Sequence, residues 1–478
     1  MIKFEEYRQY DAIGLADLVR SRQVAPVELL NTALARMEQV NGRLNAVVLN
    51  MADIARRHLA ANPDQAAPLA GVPFLLKDLT LHYKGARLTN GSAFFRTHVS
   101  DHDSELTARY RNAGLTIFGR SASPEFGTSS GTESAIFGIT RNPWNTNCSP
   151  GGSSGGSASA IAAGIVPTAQ AGDAGGSIRI PASCCGLFGL KPTRGRVTTG
   201  PDTGEGLGGV SCAHVITRSV RDSALILDLT GQRDEGAPYH APPPSAPFLD
   251  AAGHAPKPLR IGLQRLAYNG MTPDKTCIDA LEDAAALCES LGHTVEEVDL
   301  AVDYQLMEMI YAIIFPTQLL ITLKKREIQL GRPLREGDIE PANVAYIEQA
   351  RNLSAQDYAE AVLHMHQFGR AFCSNFQHFD VLLSPTLGVT PPRTEHLSPL
   401  DVDTNEYKRN YILTTIYNEP ANLSGCPSMS VPLYWSEDGL PVGSLFTARY
   451  GEEETLFALA AQLEAARPWF DRHPPEAA

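Results

Sequence analysis

Positive charge is scarce in this chain. The 40 Lys and Arg face 53 Asp and Glu, a formal charge of −13. The basic residues are dispersed, with Lys324 and Lys325 among the few that adjoin. Non-specific nucleic-acid binding needs a basic face that neutralises phosphates, so that class is excluded. Long apolar runs are missing as well. No stretch of eighteen or more apolar residues occurs, so no membrane span is expected. The N-terminus MIKFEEYRQYDAIG is acidic and lacks the apolar segment of a secretory signal. A cytoplasmic protein is the expectation.

Paired cysteine motifs are absent too. The eight cysteines, Cys148, Cys184, Cys185, Cys212, Cys277, Cys288, Cys373 and Cys426, form no C-x-x-C. Reduced, mostly buried thiols are expected, and the adjoining Cys184 and Cys185 cannot chelate zinc in the usual geometry. His364 and His366, two apart on a helical pattern, point to different faces. No metal and no cofactor is therefore expected. Phosphate-loop motifs are lacking: there is no G-x-x-x-x-G-K-[ST], and no G-x-G-x-x-G after a clear strand.

What is present is globular. Hydrophobic residues are 43% of 478 and charged residues 19%, enough for a large core. The spacing predicts helices within 12–60, over 157–166 and 218–231, near 273–291, 303–330 and 354–376, and over 453–466. Strands are predicted in GVPFLLKDL (71–79), LTIFG (115–119), LRIGL (259–263), HTVEEVDL (293–300), FDVLLSPT (379–386), PSMSVPLYW (427–435) and VGSLFTA (442–448). Helix, glycine and strand alternate, which indicates α/β architecture. The Pro- and Ala-rich residues 232–258 are expected to form a surface loop.

Two glycine-serine clusters interrupt this pattern: GGSSGGS at 151–157 and GGS at 175–177. A flexible linker does not run directly into an apolar helix such as ASAIAAGIV. Glycine beside serine instead lets the backbone approach a substrate and aim successive N–H groups at one point. The amides of Ala174, Gly175, Gly176 and Ser177 are candidates for such an oxyanion hole. A serine there needs a base. Ser177 does not sit in a G-x-S-x-G elbow, and no histidine lies in a recognisable motif. Lys77, at the end of an apolar strand, is the candidate, because desolvation disfavours its ammonium.

The segments GVPFLLKD, SPGGSSGGSASAIAAGIVP, GDAGGSIRIPASCCGLFGLKPTRG and FDVLLSPT…NLSGCPSMSVPL…GLPVG resemble the amidase signature family over roughly residues 10–450. The stretch SIRIPASCCGLFGLKPTRGR is closer to the branch containing 6-aminohexanoate cyclic-dimer hydrolase and other broad bacterial amidases. The resemblance implies a single large α/β/α domain around a mixed sheet of about eleven strands. Within it, residues 1–70 form a helical N-terminal part, 71–231 the core carrying the site, 232–258 the loop and 259–478 the remainder. The resemblance also implies amide hydrolysis by a triad of Lys77, Ser153 as proton bridge and Ser177 as nucleophile, the two serines 24 residues apart. It implies a cis peptide at Gly152–Ser153. The family's usual hydroxyl residues are replaced in Ala171-Gly172-Asp173-Ala174, which leaves backbone amides to hold the oxyanion.

Further expectations concern the surroundings. Arg179 pairs with Asp173 to brace the loop. Gly127 and Thr128 line the acyl pocket. Tyr311, Phe315 and Gln318, in the apolar 304–320 segment, contact substrate. The substrate is an uncharged aryl or alkyl amide, with carbamates and nylon-type oligomers also fitting the chemistry. The alternatives are the glutaminase subunit of a tRNA-dependent amidotransferase, or a non-catalytic binding protein. No nucleic-acid or membrane partner is expected, and a homodimer is left open.

Overall fold

The strand Pro73–Lys77 reads PFLLK, and all five side chains are buried. Burial on both faces is the mark of a strand inside a sheet covered on both sides. Its neighbours bear this out in a computed structural model that describes residues 2–61, 64–300, 302–398, 400 and 405–475.

The strands run in chain order as β1 Val47–Asn50, β2 Pro73–Lys77, β3 Thr116–Ser121, the short ribbon β4 Glu133–Ser134 and β5 Gly138–Ile139, then β6 Thr168–Asp173, β7 Phe188–Lys191 and β8 Cys212–Thr217. They continue as β9 Arg260–Leu263, β10 Thr294–Glu297, β11 Val381–Pro385, β12 Ser428–Trp435 and β13 Pro441–Ala448. Apart from the ribbon, they form one eleven-stranded sheet in the order β1-β3-β2-β6-β8-β7-β12-β13-β11-β9-β10. The sheet is mixed. β2 is parallel to β3 and β6, the middle strands from β6 through β11 are antiparallel, and β11, β9 and β10 are parallel. The fold is thus a single α/β domain with an eleven-stranded mixed sheet flanked by helices.

Alternation along the strands shows the two covered faces. Phe74 and Leu76 of β2 pack with Leu15, Ala16 and Ile226. Leu75 between them packs with Ala158 and Ile161 of the helix Gly155–Ala162. On β13, Phe446 joins Leu227, Leu281 and Phe457, whereas Leu445 joins Ile310 and Met365 of two long helices.

The segment 12–60, read as helical, contains the edge strand β1, four residues between two helices. Residues 232–258 hold the short helix Phe248–Ala251, anchored by buried Phe248 against Phe457. All eight cysteines are free and seven are buried. The helix Tyr304–Leu330 is long and apolar enough, by length and composition, to cross a membrane. Here it packs along helices Pro341–Arg351 and Ala355–Ser374 and buries Met307, Ile310, Ile314 and Leu319.

Candidate active site

β2 delivers Lys77 into the interior. The side chain is 1% exposed. Its backbone is held by neighbours: the Lys77 amide donates to Gln170 Oε1 at 3.0 Å, and Arg120 Nη1 donates to the Lys77 carbonyl at 3.2 Å. Lys77 Nζ lies 2.7 Å from Ser153 Oγ and 2.9 Å from Ser154 Oγ. Burial pushes the ammonium down to about 7, with the Asp173 charge acting weakly the other way. No described carboxylate forms an ion pair with it.

Ser153 follows a cis peptide from Gly152. Gly152 is packed so closely that an added Cβ would lie 2.3 Å from the Gly131 carbonyl. Ser154 was not singled out in the sequence, although it adjoins Ser153. Its hydroxyl donates to the Gly172 carbonyl at 3.2 Å and accepts from the Gly172 amide at 3.3 Å. A hydroxyl has one hydrogen and two lone pairs, so with its hydrogen on Gly172 it can only accept from Lys77. The amine's own lone pair is thereby left for Ser153.

The second glycine cluster turns out of β6 at Asp173. The Asp173 carboxylate accepts from the Gly176 amide at 2.8 Å and the Ile178 amide at 3.1 Å. It also accepts from Arg179 Nε and Nη2, both at 2.9 Å, and from Asn422 Nδ2 at 2.9 Å. Both members of the Asp173–Arg179 pair are fully buried. Burial alone would raise the carboxyl, but the guanidinium and the hydrogen bonds outweigh it and hold it well below the usual carboxylate range. This geometry alters the expected oxyanion hole. The Gly176 amide turns inward, because a buried carboxylate draws the nearest donors. Ala174, Gly175 and Ser177 line a cavity instead, and Gly176 does not.

That cavity measures about 420 Å³ and is lined also by Gly127, Thr128, Tyr311 and Phe315. Tyr311 donates its hydroxyl to the Ala174 carbonyl at 2.9 Å, which ties the long helix to the turn. Gln318 is not in the lining. Tyr311, Phe315 and Gln318 share a face by helical spacing, but the helix has passed the cavity by Gln318, whose Nε2 donates to Tyr358 Oη at 2.9 Å. Sequence inspection missed Tyr304, Glu308, Tyr346, Tyr411 and Glu419 on the cavity wall. Tyr304 and Glu308 continue the stripe of Tyr311 and Phe315 at helical spacing, a signal that was available. Tyr346, Tyr411 and Glu419 come from other helices and carry no local signal.

Outside the cavity, one cluster among the described residues, His82, His102 and Asp202, brings three possible metal-ligand atoms within 4.8 Å of one another. It is knitted by hydrogen bonds: His102 Nε2 with Asp202 at 3.0 Å, and the other ring nitrogen with Asp101 at 2.6 Å.

Comparison with known proteins matches the Amidase family model over residues 28–457. The chain is 34% identical over 479 residues to 6-aminohexanoate-cyclic-dimer hydrolase of Paenarthrobacter ureafaciens, covering 97% of this chain and 96% of the other. A solved structure of 6-aminohexanoate cyclic dimer hydrolase with substrate superposes with a TM-score of 0.93 at 33% identity, covering 98% and 100% of the two chains. A bacterial aryl acylamidase of the amidase signature enzymes superposes with a TM-score of 0.88 at 29% identity, covering 96% of each.

Proposed function

The chain belongs to the amidase signature family of amide hydrolases, and on that premise we propose that it cleaves amide C–N bonds through an acyl-enzyme on Ser177. The observation that carries this is Lys77 Nζ, buried, without an ion-pair partner among the described residues and 2.7 Å from Ser153 Oγ. An amine kept neutral at working pH is a base, and a serine hydroxyl needs one to attack a carbonyl.

The steps are those that the family resemblance implies for these residues. Neutral Lys77 takes the proton of Ser153 while Ser153 takes that of Ser177. Ser177 Oγ bonds to the substrate carbonyl carbon, and the electron pair moves to oxygen. The amides of Ala174, Gly175 and Ser177, residues that line the cavity, are the candidates to hold the resulting oxyanion. The C–N bond then breaks, its electron pair stays on nitrogen, and Ser153 passes the relay's proton to the leaving amine. Water enters by the same relay and releases the acid.

The aromatic lining suits aryl and alkyl amides, and the two similar hydrolases act, by their names, on a cyclic amide and on aryl acylamides. Carbamates carry the same kind of carbonyl. The test is labelling by a fluorophosphonate together with hydrolysis of p-nitroanilides. Wild type is expected to be labelled at Ser177 and to release nitroaniline, and Ser177→Ala to do neither. A Ser177→Ala protein with full activity would remove Ser177 from the mechanism.

A further inference from the structure

The cavity wall has a chemistry that the relay does not use. Glu308 and Glu419 both line the cavity, along with Tyr304, Tyr311, Tyr346 and Tyr411, and among the described residues no Lys, Arg or His does. Glu419 is half-buried, and its stem faces the oxyanion turn: its Cγ lies 3.8 Å from where a Cβ on Gly175 would stand. Glu308 is exposed at the cavity and Glu419 only half-buried, and among the described residues neither has a salt bridge. Glu308 accepts from the Tyr304 hydroxyl. Arg179 acts on Glu419 only from a distance, since its guanidinium is spent on Asp173, Asn422 and the Asn418 carbonyl. Burial pushes the Glu419 carboxyl up to about 7, with Glu308 adding to the shift and a hydrogen bond from Thr415 opposing it. A carboxylate in this position lacks a counter-charge that a ligand can supply. Aromatic walls add to the same preference, because ring faces attract cations.

We propose that Glu419, with Glu308 and the surrounding tyrosines, forms a cation subsite, and that the preferred substrates are amides carrying a protonated primary amine close to the scissile bond. This rests on Ser177 being the nucleophile of the same cavity, and it stands in place of the uncharged aryl or alkyl amide expected from the sequence.

The experiment compares kcat/KM within matched pairs. One set is ω-aminoacyl p-nitroanilides against acyl p-nitroanilides of equal length. The other is N-(aminoalkyl)benzamides against N-alkylbenzamides. Wild type is expected to favour the amine-bearing member of at least one set by about tenfold, and Glu419→Gln to bring that ratio towards parity. A primary alkylamine is expected to compete with the neutral anilide where the matching alcohol does not, a measurement that needs no variant. Equal rates within both sets and no inhibition by the amine overturn the subsite and leave the Ser177 chemistry standing. A preference retained in Glu419→Gln takes the role away from Glu419. Protein that cleaves no member and is not labelled by fluorophosphonate overturns the Ser177 chemistry, and the subsite falls with it.

Discussion

Ser154 Oγ sits 2.9 Å from Lys77 Nζ and can only accept from it, because its own hydrogen is committed to the Gly172 carbonyl. The hydroxyl that orients the base is thus not the one that relays the proton. Ser154→Ala is expected to lower kcat by about tenfold, the effect of one lost hydrogen bond in a buried network, and to change KM less. A variant with wild-type kcat would show that Lys77 needs no such orientation.

Lys77 governs the pH profile. Only the neutral amine accepts a proton, so activity should rise with pH through about 7 and level off above it. The same burial costs stability. The unfolded lysine ionises near its ordinary value of about 10.4, so between about 7 and 10 the unfolded chain binds more protons and stability rises with pH. Lys77→Met should therefore abolish hydrolysis yet raise Tm, with a gain larger at pH 6 than at pH 9. Calorimetry at the two pH values checks this, and a loss of stability at both would contradict the burial cost.

Asp173→Asn leaves Arg179 buried without its partner. A loss of about 3–5 kcal/mol is expected, measurable by denaturant unfolding. In wild type the ionised Asp173 contributes stability that is fully present above the unfolded carboxyl value of about 3.9. That contribution fades as pH falls towards the much lower folded-state value. The variant should show a shallower loss of stability below pH 4.

Gly127 has φ +73°, and a Cβ there would lie 2.9 Å from Leu79 Cδ2 and 3.2 Å from Ser153 Oγ. Gly127→Ala is therefore strained by about 1 kcal/mol and displaces the bridging hydroxyl. Expect kcat to fall further than binding weakens. An unaltered kcat would mean that the loop yields without moving Ser153.

The Tyr311 hydroxyl holds the Ala174 carbonyl at 2.9 Å. Its loss in Tyr311→Phe should cost about 1 kcal/mol of transition-state binding, seen as a several-fold drop in kcat/KM. If the drop is absent, the turn stands without the helix.

The meeting of Lys77 with Ser153 was legible through the resemblance to a family motif, and that of Asp173 with Arg179 through their closeness in one short glycine-rich turn. The cavity wall was legible in the Gly127–Thr128 loop and along one helix, where Tyr311 and Phe315 recur at helical spacing. Tyr346, Tyr411 and Glu419 reach the site through tertiary packing of three separate helices, which no local pattern encodes. The Gly176 amide shows a subtler gap. A glycine-rich turn announces free N–H groups, but not which of them a neighbouring carboxylate will claim. The strand Val47–Asn50 escaped notice because four residues between helices are too few to establish an alternating pattern.

The Arg179 guanidinium does more than brace a loop, since it grips Asp173 on one side and the Asn418 carbonyl and Asn422 side chain on the other. It is the rivet between the segment that carries the relay, residues 77–179, and the helices that supply much of the cavity wall. Chimeras that swap those helices together with the two asparagines should carry a substrate preference from one enzyme to another, while swaps that cut between Asn418 and Asn422 should shear the rivet and lose the turn itself.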